Sequence, residues 1–114
     1  MIADRGAVLD VLAQFSHVRL SLHGHVHANS ITTRGGVVYV TSAALMEYPM
    51  QWREVRVSDC QIELRTHQLP LPAALIKSQE LETRSGRNLA KKGTLSSNHV
   101  VLEICGPGTV AKQN

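Results

Sequence analysis

Val18-Arg19-Leu20-Ser21-Leu22-His23-Gly24-His25-Val26-His27 is the stretch on which the fold turns. Its first half alternates apolar and polar residues, the period of a half-buried strand, with Val18, Leu20 and Leu22 predicted to face inward. Gly24 is expected to end that strand and to let the backbone turn sharply. Upstream, Val8, Val11, Leu12 and Phe15 follow the spacing of one helical face. A helix is therefore expected over residues 5–16, with Asp4 as its N-cap.

Downstream, Ile31 and Thr33 belong to a second short strand and Gly35-Gly36 is a hairpin signal. Val37-Val38-Tyr39-Val40-Thr41 is apolar on both faces and is expected to lie between layers. Alternating strands follow from Trp52 to Val57 and from Gln61 to His67, with Ser58-Asp59 as the turn. Pro70 and Pro72 stop the sheet, and residues 73–83 form a short helix. Beyond Thr83 the pattern fades, apart from a strand signal at Val100 to Ile104. The expected fold class is α/β: one or two helices with a mainly antiparallel β-meander. One amphipathic helix covers only one face of such a sheet, so the chain reads as part of a larger layered domain.

The 114 residues leave room for one domain, with 43% hydrophobic, 18% charged and only 4% aromatic residues. This excludes a disordered composition and asks for an aliphatic core. No run approaches the roughly 18 apolar residues of a membrane span, and Met1-Ile2-Ala3-Asp4-Arg5 lacks the order of a signal peptide. A cytoplasmic location is the expectation. Cys60 and Cys105 have no CxxC spacing and are expected to be two separate thiols.

The net charge of +3 is uneven. Residues 1–75 balance six basic against six acidic side chains, whereas residues 76–114 hold six basic and three acidic. The division expected is residues 1–80 as the structured part and 81–114 as a basic, weakly structured extension. No aromatic follows Trp52, so the tail has no base-stacking platform and no nucleic-acid partner is expected.

Three of the six histidines fall in His23-Gly24-His25-Val26-His27, just after a strand, where α/β sheets present ligand sites. In an extended segment the alternate spacing throws His25 and His27 to one side, where each imidazole offers a nitrogen to a metal. One residue between ligands is too short for a helical site, so this is a loop site. His17 is read as a cation at a helix end, and His67 and His99 as solvated. Thr41-Ser42 are read either as turn residues or as donors to a phosphate oxygen or a histidine's second nitrogen. Tyr48-Pro49 are read as packing residues or as the lining of a substrate pocket, and Trp52 as a core or edge residue.

Three segments together carry a resemblance: Leu20 to Asn29, Gly35 to Ser42, and Glu47-Tyr48-Pro49-Met50-Gln51-Trp52-Arg53-Glu54-Val55. Over residues 5–80 the chain resembles the C-terminal part of calcineurin-like metallophosphoesterases, closest to the bacterial cyclic-nucleotide phosphodiesterase-like class. The resemblance implies the C-terminal portion of a four-layer α/β/β/α sandwich. It also implies a site for two divalent ions (Mn, Fe or Zn) acting on a phosphate-ester substrate. His25 would ligate the second metal and His27 the first. Gly24 would let the loop approach, and His23 and Asn29 would flank the site.

That family also supplies Asp-x-His, Gly-Asp and Gly-Asn-His segments N-terminal to this loop. Only 22 residues precede His23, and they contain none of these. Two dications a few ångströms apart repel strongly, and neutral imidazoles alone do not offset that; an anionic bridge is required. The expectation is a metal-binding segment, inactive alone, that works with an N-terminal half. One alternative is a non-catalytic remnant that oligomerises or docks through its sheet. Another is an adventitious site in which His23, His25 and His27 grip a single ion.

Overall fold

The computed structural model describes residues 3–86, 89–94, 98–105 and 111–113. Val37-Val38-Tyr39-Val40 lies at its centre, and all four side chains are buried. Two β-branched faces back to back suit a strand with cover on both sides. This strand, β3 (Val37–Thr41), is the middle of a three-stranded sheet ordered β1-β3-β2, with β1 at Leu20–His23 and β2 at Ser30–Arg34. Gly35 and Gly36, at φ 57 and 77, make the tight β2–β3 turn, whose two central positions both need left-handed backbone. β1 runs parallel to β3, in the register Leu20 with Val38 through His23 with Thr41.

The chain then crosses to a second sheet. β4 (Gln51–Val57), β5 (Gln61–Gln68), β6 (His99–Glu103) and β7 (Ala111–Gln113) follow one another as an antiparallel ladder. The two sheets pack face to face. Val38 and Val40 of the first meet Leu64, Val100 and Leu102 of the second in one cluster, and Leu20, Ile31, Val55, Ile62 and Ile104 pack around it. This is a mixed α/β chain whose core is two β-layers. No helix among the described residues is long and apolar enough to cross a membrane.

The helices sit at the margins. α1 (Arg5–Ala13) follows Asp4, which stands at the N-cap position but makes no side-chain capping bond. None of its residues is buried, and Val8, Val11 and Phe15 remain about half exposed. It touches the β2–β3 hairpin through an Arg34–Asp10 ion pair at 3.1 Å. α2 (Pro72–Arg84) starts with Pro72 at its first position, where a missing N–H costs nothing.

Several expectations need correcting. The strands do not form one meander, because alternation reports which face is buried and not which strand is the neighbour. Leu22 is 58% exposed, since β1 is an edge strand there and no layer covers it. α1 ends at Ala13, so His17 lies beyond its dipole, where its ring meets the edge of Phe15. The boundary at residue 80 does not separate core from tail: β6 sits inside the second sheet, with Val100 and Leu102 fully buried. Cys60 and Cys105 are joined in a disulfide, their Cα atoms 4.8 Å apart. Cys60 precedes Gln61 and Cys105 lies two residues past its partner Glu103, so sheet register brings together thiols 45 residues apart in sequence.

His67 and His99 are not simply solvated. His67 donates from Nε2 to Glu54 at 2.8 Å and stacks on Trp52 with ring centres 4.4 Å apart. His99 donates to Glu63 at 2.9 Å. With Arg56 and Arg65, these carboxylates form a charged cross-strand patch on the second sheet.

Candidate functional site

The histidine loop leaves the carboxyl end of β1, as its sequence suggests, but its geometry differs from an extended segment. Val26 N–H donates to the Gly24 carbonyl at 2.9 Å, closing a three-residue turn around His25. The left-handed residues are His25 (φ 73) and His27 (φ 53). Gly24 is not among them, and a Cβ added there would meet nothing within 4 Å. The sharp turn assigned to the glycine is therefore made by two histidines, a residue type tolerated in this region more than most.

The three imidazoles have different surroundings. His23 has Nε2 2.8 Å from Ser21 Oγ and stacks on Tyr39, across the β1–β3 pair, at 6.0 Å. His25 is exposed and, among the described residues, has no hydrogen-bond partner. His27 is half exposed, and its Nδ1 lies 2.8 Å from Glu47 Oε1.

The bond from His27 has a chemical direction. The Lys91 ammonium, 3.0 Å from the same Oε1, holds the Glu47 carboxyl below its ordinary range, with His27 contributing less. An ionised carboxylate only accepts, so Nδ1 of His27 carries the proton. In the neutral ring this tautomer leaves a lone pair on Nε2, the form in which imidazole binds a cation. A carboxylate behind a histidine in this way fixes tautomer and ring orientation in metal sites.

Lys91 also reaches the buried Glu82 near the end of α2, at 3.3 Å. The pairing with Glu47, and secondarily with Glu82, raises the pKa of Lys91. Its backbone is pinned too, because Asn29 N–H donates to the Lys91 carbonyl at 2.7 Å. Asn29 is 5% exposed and fully occupied. Its amide donates to Gln51 Oε1 at 2.8 Å and to the Lys92 carbonyl at 3.3 Å, while its oxygen accepts from Ala43 N–H at 2.9 Å. Asn29 thus fastens the loop to three other segments.

Thr41-Ser42 serve the fold: Ser42 N–H donates to the His23 carbonyl at 2.9 Å, and the Thr41 carbonyl accepts from the half-buried Arg53 at 3.3 Å. Tyr48 and Pro49 are buried, joined by a cis peptide, in the crossing from β3 to β4. Reading the sequence missed two residues, Glu47 and Lys91. Glu47 lies in the run that carries the resemblance, so its neighbourhood was visible. Lys91 had no signal, because only the folded tail brings it to the loop.

His25 and His27 carry imidazole nitrogens, a donor type that suits transition-metal dications, and the His27 ring is oriented by a carboxylate. No group of three or more histidine, cysteine, aspartate or glutamate side chains is gathered for a metal among the described residues. A two-ion centre would need additional anionic donors. Compared with family models, curated proteins and solved structures, the chain gives no significant match.

Proposed function

We propose that the chain is the metal-binding C-terminal segment of a metal-dependent phosphoesterase, with His25 and His27 as its ligands. On this reading the two sheets are the inner layers of a four-layer α/β/β/α sandwich. The observation that carries it is the Glu47 carboxylate behind His27, which orients the ring and, in its neutral form, directs the lone pair to Nε2. The left-handed backbone at both candidate ligands adds support, since such strain gathers at functional sites. Divalent ions in such a centre supply charge neutralisation on a phosphate ester and a water acidic enough to attack it. This chain's own contribution would be two imidazoles on one loop, the His27 ring oriented by Glu47. The carboxylates that would bridge the ions come from an N-terminal half, so the chain alone is inactive.

The test is reconstitution. With an N-terminal half that carries Asp-x-His and Gly-Asn-His segments, and with Mn²⁺, the chain should hydrolyse a nitrophenyl phosphate ester. His25→Ala should abolish turnover. Unchanged turnover in that variant would falsify the reading.

A second reading is a non-catalytic interaction module. Val8 and Val11 on α1, with Phe15 just beyond its end, favour it, because they leave apolar surface open to water. The Val37–Val40 strand does not favour it, since both of its faces are already buried. A monomer by sedimentation would argue against self-association through that helix.

A further inference from the structure

The link from His27 to Glu47 does not end there. Glu47 Oε1 takes His27 Nδ1 at 2.8 Å and Lys91 Nζ at 3.0 Å, and Lys91 extends to Glu82 Oε1 at 3.3 Å. The side chains come from four segments: the histidine loop, the β3–β4 crossing, the 3-10 turn at Leu89–Lys92 and the end of α2. Glu82 is 3% exposed, on a helix whose other residues are not buried. A buried carboxylate needs a cation beside it, and Lys91 is that cation. The backbone bond from Asn29 to Lys91 sets the lysine at the height of the loop, so its ammonium reaches both carboxylates.

We propose that Lys91 is a positioning residue for the candidate metal ligand His27, acting through Glu47 and anchored by Glu82. Lys91 Nζ and His27 Nδ1 meet on the same Oε1 of Glu47, so the lysine holds that oxygen toward the imidazole. Held there, the carboxylate favours the neutral His27 tautomer with its proton on Nδ1 and its lone pair on Nε2. Guanidinium at residue 91 retains both the charge and the donors, so arginine should substitute in part. The inference rests on His27 being a ligand only where it concerns cation affinity; the tautomer of His27 stands apart from that reading.

The experiment uses the full chain, labelled with ¹⁵N-histidine and studied at a pH where imidazole is neutral. In the wild type, the ring-nitrogen shifts of His27 should report one tautomer, protonated at Nδ1. Lys91→Met should give an averaged signal, and Lys91→Arg should restore the single tautomer. Zn²⁺ titrated into the same samples should bind about 10–100-fold more weakly to Lys91→Met, the usual range for losing such a supporting group. An amide spectrum checks folding. Should Lys91→Met not fold, Glu82→Gln carries the same test, since it leaves every side chain at the loop in place and frees only the far end of Lys91. An unchanged tautomer in the folded variants overturns the proposal. A tautomer that responds as expected, with no Zn²⁺ bound by any sample, supports the positioning role and removes the metal reading instead.

Discussion

Left-handed backbone at His25 and His27 costs about 1–3 kcal/mol at each position, and the loop holds both in place. The turn bond from Val26 to Gly24 and the grip of Glu47 on His27 are the visible restraints. Two glycines should therefore respond in opposite ways. Gly24→Ala places a methyl in open space at an ordinary backbone angle, so stability should hold within about 0.5 kcal/mol. Gly35→Ala combines φ 57 with a methyl 2.9 Å from Ala13 Cβ and should cost about 1–2 kcal/mol or more. Urea midpoints of the two variants check this, and equal losses would contradict it. The histidines of the site were legible because their types and spacing state their chemistry. The conformation of the loop was not, since a glycine in sequence shows only that a turn is permitted there.

Among the elements, β6 and the disulfide decide how the second sheet holds. Leu102→Ala removes a side chain 1% exposed from the cluster shared by both sheets. It should cost about 2–5 kcal/mol by thermal or urea unfolding, where the same change in a detached tail would cost nothing. The Cys60–Cys105 bond closes a loop between residues 45 apart, for which chain entropy suggests about 4 kcal/mol as the ceiling of stabilisation. Adding dithiothreitol should lower the melting temperature, and Cys60→Ser/Cys105→Ser should become insensitive to it. A reducing environment would hold the same pair as two thiols. Individual strands and α2 were visible from alternation and from the prolines. Their partners were not, because the parallel pairing of β1 with β3 and the arrival of β6 beside β5 depend on contacts far apart in the chain.

Over the whole molecule, the charged patch of the second sheet sets an acid limit. Arg56 and then His67 hold Glu54 below its ordinary 4.5, and Arg65 and then His99 do the same for Glu63. A carboxyl with a depressed folded pKa contributes stability that is present above its unfolded value and is lost as pH falls through the folded one. The melting temperature should therefore begin to fall as pH drops below about 4.5. Glu54→Gln/Glu63→Gln should flatten that decline while leaving the site tautomer unchanged. The mixed α/β class and the layered core could be read from Val37 to Val40, whose two apolar faces demand cover. The division into two packed sheets needed the crossing at Tyr48-Pro49 to be seen. The clamp behind His27 also sets an order of events at the ribosome. Lys91 is made 44 residues after Glu47, roughly 2–9 s at about 5–20 residues per second. Through that interval a nascent chain holds the histidines without the lysine, and the clamp closes when the later segment emerges and docks.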